Sequence, residues 1–101
     1  MLVTFNCTLM YDRFGGDDWD IDVNITEEEY ERLKEAHNTD VEFRYCDSVK
    51  DIYKRIYDIA NDDATENLLE YDEYFQEEYE ENEDLKADDL YSIGVNYPYF
   101  E

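Results

Sequence analysis

Glu66, Glu70, Glu73, Glu77, Glu81 and Asp84 recur at steps of three and four residues. Wound at 100° per residue, they fall within roughly 40° of the direction opposite Leu68, Phe75 and Tyr79, so a helix here carries a carboxylate ridge behind an apolar stripe. The chemistry open to such a ridge is electrostatic: it can meet cations held in another molecule. Over residues 66–84 it extends about 27 Å at 1.5 Å per residue, a length along which one strand of duplex DNA presents about eight phosphates. Glu78, Glu80 and Glu83 flank the ridge and Asp72 lies within the same run. Tyr74 points away from the apolar stripe, where a tyrosine can stack on arginine or anchor a contact at small entropic cost. A second row, Asp18, Asp20 and Asp22, alternates with Trp19, Ile21 and Val23 and extends the negative array if it shares the same side.

Such a ridge costs stability. Like charges at helical spacing destabilise by about 0.2 to 0.5 kcal/mol per pair, and no lysine is interleaved to relieve them. Residues 62–89 hold fourteen acids and one base, Lys86, and so carry −13 of the chain's net −22. The full chain of 101 residues has 30 acidic side chains against 8 basic ones. Phosphate backbones, anionic lipid surfaces and acidic substrates are repelled by this much negative charge, so the expected partner is a basic protein, with no direct nucleic-acid binding and no membrane contact. The bland alternative is a solvated helix face, or acidic adaptation to high salt.

Other chemistry has little support. Asp18-x-Asp20-x-Asp22-x-Asn24-Ile25-Thr26-x-x-Glu29 follows much of a calcium-loop pattern, but Val23 stands where the loop's sharp turn wants glycine, and strand alternation explains the same residues. His37, the single histidine, sits near the C-terminal end of an expected helix, where a cationic side chain complements the dipole. There is no glycine-rich phosphate loop, nucleophile elbow or His/Cys cluster. The reading is a non-enzyme with no cofactor and no metal site.

The elements that must position these carboxylates follow from apolar spacing. With 43% hydrophobic and 17% aromatic residues, three glycines and one proline, the chain is too apolar and too poor in breakers for an acidic disordered tail, and its length allows one domain over residues 1–101. Val3, Phe5, Cys7, Leu9 and Tyr11 alternate with Thr4, Asn6 and Thr8 as in a half-buried strand; Gly15-Gly16 supplies a turn; Trp19 to Ile25 returns as the second strand of a hairpin. Thr26 and Glu29 make a capping box opening a helix with Tyr30, Leu33 and Ala36 or His37 inward and Asn38 as terminator. Val41, Phe43 and Tyr45 read as a third strand. Ser48 with Asp51 then caps a helix through Val49, Ile52, Tyr53, Ile56, Ile59 and Ala60 that stops at the polar residues 61–63. Thr65 caps a third helix reaching Asp84 with Leu68, Tyr71, Phe75 and Tyr79 on one side, and residues 90–100 form a last strand with Tyr91, Ile93, Val95, Tyr97 and Tyr99 on one face and Pro98 marking an edge. The expected fold is α+β, a mainly antiparallel sheet of about four strands with three helices in the order ββαβααβ. No stretch has the 18 or so uncharged apolar residues a membrane helix needs, and the N-terminus lacks a signal-peptide pattern, so a cytoplasmic protein is expected. Cys7 and Cys46 are expected as free thiols. Mutual repulsion favours a monomer, although an exposed edge strand could pair two copies.

In size, charge and layout, chiefly through residues 66–84, the chain resembles the small acidic phage-encoded DNA mimics, among them many anti-CRISPR and anti-restriction proteins. Its scarcity of alanine, glycine, proline and arginine beside abundant Asp, Asn, Tyr and Ile suits an AT-rich genome of that kind. The resemblance implies an inhibitor that occupies the DNA-binding or PAM-reading channel of a CRISPR effector or restriction enzyme, acting in the host cell cytoplasm. The alternative is an immunity protein that neutralises a basic nuclease toxin. A calcium-responsive module is a third reading.

Overall fold

Nine residues with an apolar side chain at every second position form strand β1 (Leu2–Met10), and the alternation puts Val3, Phe5, Cys7 and Leu9 into the core. This is a computed structural model; it describes residues 1–11, 15–39 and 48–99. β2 (Gly16–Asn24) returns antiparallel beside β1, pairing Leu2 with Asn24, Phe5 with Ile21 and Cys7 with Trp19. The turn depends on two glycines for different reasons. Gly15 adopts φ +85°, which side chains resist, and a Cβ on Gly16 would lie 2.2 Å from the Leu9 carbonyl oxygen.

Helix α1 (Glu27–Thr39) opens with the expected capping box: the Thr26 amide donates to Glu29 Oε1 at 3.0 Å, and the Glu29 amide donates to Thr26 Oγ1 at 3.1 Å. Leu33 and Ala36 are buried, and His37 lies in the last turn. Asn38 is inside the helix, which extends one residue further, so it does not terminate α1. The expected strand at Val41, Phe43 and Tyr45 lies outside the described residues, as does Cys46; Cys7 is a buried free thiol, its pKa pushed up to about 12 by burial and then by the fields of Asp20 and Asp63.

Helix α2 (Lys50–Tyr71) departs from the expectation at both ends. Val49 in place of Ser48 holds the N-cap position and has no side-chain acceptor to cap with, while Arg32 reaches the Asp51 carboxylate at 2.8 Å and also donates to the Ser48 carbonyl. Nor does the helix stop at residues 61–63. Ile56, Ala60, Ala64 and Leu68 are buried at a strict four-residue step through that stretch, and Asn61, Asp62 and Asp63 fall on other faces with partners of their own. Asp63 accepts the Trp19 indole N–H at 3.0 Å, and Asp62 pairs with Lys86 at 3.1 Å. Asn61 accepts from the Asp88 amide at 3.2 Å. Thr65 therefore caps nothing: its hydroxyl donates to the Asn61 carbonyl inside the helix and accepts the Ala87 amide at 2.9 Å.

The break falls at Asp72, whose backbone is extended and whose carboxylate accepts the Phe75 amide at 2.9 Å, capping a separate helix α3 (Glu73–Glu81). A short helix α4 (Ala87–Leu90) follows, claiming Leu90 from the expected last strand, which is β3 (Ser92–Pro98). β3 pairs antiparallel with the other side of β1, giving the sheet order β2-β1-β3, and Pro98 sits on this edge strand. A bulge slips the register at Asn6–Cys7, so Val95 and Pro98 face inward while Tyr97 and Tyr99 are exposed and not on one face with Ile93 and Val95. The fold is α+β with three antiparallel strands and four helices among the described residues, in the order ββααααβ.

All the helical packing is on one face of the sheet. Phe5, Cys7, Ile21 and Val23 meet Leu33, Ile52, Ile56 and Ala60 in one core cluster. Leu9 meets Ala64, Leu68, Phe75, Leu85 and Ala87 in a second. α2 spans both, which draws the molecule out to 44 × 27 × 22 Å. No described helix is long and apolar enough to cross a membrane.

Candidate partner-binding surface

The helix break at Asp72 corrects the straight rod of carboxylates. Glu66 and Glu70 end α2, Glu73, Glu77 and Glu81 line α3, and Asp84 lies in the turn beyond it. Gln76 donates to the Leu69 carbonyl at 2.8 Å, a contact that a straight helix, with about 10 Å of rise over seven residues, would not permit. The ridge is thus bent around the second core cluster, with Phe75 fully buried beneath it.

Bending does not bury the ridge. Glu66, Glu70, Glu73, Glu77, Glu80, Glu81, Glu83 and Asp84 are all exposed, and Asp72 and Glu78 are half-buried. Tyr74 is 56% exposed, consistent with its place beside the ridge; Tyr71, expected on the apolar side with Leu68, is 78% exposed, because it ends α2 where the helix breaks. The ion pairs among the described residues, Arg32–Asp51, Arg55–Glu29 and Lys86–Asp62, leave every one of these carboxylates out. Five of the six described bases lie between residues 32 and 55, away from the ridge in the chain.

The second row is on a different side. Asp18, Asp20 and Asp22 are exposed on the face of β2 that points away from the helices, so the sheet separates them from α3. Opposite them on β1 stand Thr8, Asn6 and Thr4, and each pair is bonded: Thr8 to Asp18 at 2.7 Å, Asn6 to Asp20 at 3.4 Å, Thr4 to Asp22 at 2.5 Å. Tyr99 adds a hydroxyl bond to Asp20 at 3.3 Å, and Asn96 donates to both Asn6 and Thr8. These donors are neutral, so they orient the carboxylates without discharging them. The pattern does not make a calcium loop: the span is a strand followed by a capping box, and Glu29 is held by Thr26 and, at 2.8 Å, by Arg55.

Individual carboxylates register in the tyrosines beside them. Burial comes first in raising Tyr11, Tyr57 and Tyr91, and nearby carboxylates then add to it: Asp17 for Tyr11, Asp88 for Tyr57, Asp72 for Tyr91.

A groove at the end of the hairpin was not evident in the sequence. It has a volume of about 290 Å³ and is floored by Leu9, Ala64 and Leu68, with the rings of Tyr11, Trp19 and Tyr71 around it. Asp17 and Asp72 stand at its sides. It forms because α2 continues past residue 63 to lay its last turns across the hairpin, so a helix ending at residues 61–63 conceals it. The available signal is the strict four-residue apolar step through Ala60, Ala64 and Leu68.

Comparison of the chain with protein-family models, with curated proteins and with solved structures finds no match.

Proposed function

We propose that this protein is a DNA mimic that inhibits a basic nucleic-acid-binding protein by occupying its DNA channel, most specifically a CRISPR effector at the duplex-binding or PAM-reading cleft. The reading rests above all on the unpaired carboxylate surface running from Glu66 through Asp84, which no described lysine or arginine neutralises. Its bend is compatible with the role, since a cleft for duplex DNA surrounds a curved array of phosphates and not a single line. The protein acts by occupation, as a monomer in the cytoplasm, with no catalytic residue, metal or cofactor and no contact of its own with nucleic acid or membrane.

The test is competition. Guide-loaded CRISPR effectors and restriction enzymes are saturated with the protein and offered fluorescein-labelled duplex DNA at rising salt. For the cognate target, DNA binding is lost at one-to-one stoichiometry and the inhibitory complex weakens as salt rises. The triple variant E70K/E73K/E77K loses inhibition with an unchanged circular dichroism spectrum. Full DNA binding by a saturated complex rejects the mimic.

A further inference from the structure

We infer that the groove between the hairpin end and the last turns of α2 seats the side chain of an arginine projecting from the basic partner. The inference rests on the reading above and supplies it with an anchor point. Its chemistry is mixed in a way that few ligands match. The floor is aliphatic, the walls are the rings of Tyr11, Trp19 and Tyr71, and the sides carry Asp17 and Asp72. An anion is repelled by those two carboxylates and by Asp63 behind the indole. An uncharged apolar group leaves them unused. A lysine ammonium is compact and strongly hydrated, and loses that hydration on entering an apolar slot. A guanidinium is weakly hydrated, stacks its flat face on aromatic rings and offers its N–H edge to carboxylates.

The groove is held ready for such a guest. The Trp19 indole is fixed by its bond to Asp63 at 3.0 Å, and the Tyr11 ring packs edge-on against Tyr91 with centroids 4.9 Å apart. Asp72 is fixed by capping α3 through the Phe75 amide. Tyr71, 78% exposed, can close over an entering side chain from the helix end. The groove adjoins the ridge through Asp72, so an arginine seated here leaves neighbouring bases of the partner facing Glu70 and Glu73.

Trp19 is the chain's single tryptophan and therefore a site-specific reporter. The full chain is titrated with fluorescein-labelled hexa-arginine and hexa-lysine at matched ionic strength, reading peptide anisotropy, and with unlabelled peptides reading Trp19 emission. Hexa-arginine is expected to bind about two- to fivefold more tightly than hexa-lysine and to change Trp19 emission saturably. Y71A and, separately, D17N bring the two affinities to equality while both peptides still bind along the ridge; both positions are exposed, so the fold survives. E73K/E77K weakens both peptides and keeps their ratio. Equal affinities in the unaltered protein, a preference that survives Y71A and D17N, or silent Trp19 emission at saturation overturns the pocket while the DNA-mimic reading stands. Absence of binding by either peptide overturns the pocket as well, and loss of DNA competition, measured separately, overturns the mimic.

Discussion

Replacing Glu77 by glutamine isolates what the ridge costs the fold. Glu77 lies mid-way along α3, exposed, four residues from Glu73 and Glu81 and three from Glu80. The substitution removes one charge from three like-charge pairs, each worth about 0.2 to 0.5 kcal/mol, and glutamine has nearly the helix propensity of glutamate. A gain of about 0.6 to 1.5 kcal/mol follows, which for a domain of this size raises Tm by roughly 2 to 12 °C. The assay is thermal and urea unfolding followed by circular dichroism in 10 mM and in 1 M salt. At 1 M the Debye length falls to about 3 Å, so the gain must shrink towards zero if its origin is charge. Glu28 provides the internal control: it is exposed in the first turn of α1, where a carboxylate complements the helix dipole, and its like-charge neighbour Glu31 is balanced by Arg32 four residues on, so E28Q costs about 0.3 to 1 kcal/mol. Opposite signs for one chemical change at two places on helices are hard to obtain from anything but electrostatics. If E77Q is no more stable than the parent at low salt, or its gain persists at 1 M, the ridge carries no folding cost and the argument that a function retains it fails.

Two further outcomes test the scaffold beneath the ridge. Phe75 is fully buried against the second core cluster and stacks near Tyr79, so F75A costs about 3 to 5 kcal/mol in urea unfolding, and hydrogen exchange loses protection first in α3. Glu29 is held below its ordinary carboxylate value first by its bond from Arg55 and then by the Thr26 amide, so this pair stabilises the protein above that ordinary value and the contribution is lost as pH falls through the lowered folded one. R55Q is therefore less stable than the parent by about 0.2 to 1 kcal/mol at pH 7, and the two converge in acid; a difference that does not vary with pH refutes the assignment.

Legibility in the sequence tracked how locally each feature is determined. The β1–β2 hairpin, its inward face and the Thr26–Glu29 box were all readable, because a two-residue period, a glycine pair and a four-residue capping pattern are complete within a few residues. The boundary between α2 and α3 was not. Three polar residues at 61–63 looked like a stop, but each is satisfied by a partner far along the chain, Asp63 by Trp19, Asp62 by Lys86 and Asn61 by Asp88. Ser48 lies one residue outside the cap position, which Val49 holds, and Arg32, sixteen residues earlier, binds its carbonyl and Asp51 together. The ridge residues are exposed as their spacing predicts, yet the continuous period that predicts a single straight helix is interrupted where Asp72 caps a new one. The groove lay beyond reach because it is made where two misplaced boundaries meet.

A generic acidic surface does not account for the side of the sheet that has no helices. Lysine opposite Asp18, Asp20 or Asp22 would form cross-strand ion pairs and stabilise the hairpin. The positions hold Thr8, Asn6 and Thr4, which bind the carboxylates and leave their charge in place. Three of the six described cations, Arg32, Arg55 and Lys86, pair instead with Asp51, Glu29 and Asp62. Solubility alone requires net charge and is indifferent to its orientation, whereas recognition requires both. A row left without a cation partner and also held in place satisfies the second demand, and with the bent ridge on the far side of the sheet it gives the molecule negative rows on two faces. A flat basic patch can engage one such face; a channel that encloses its cargo engages both, as it does the two strands of a duplex.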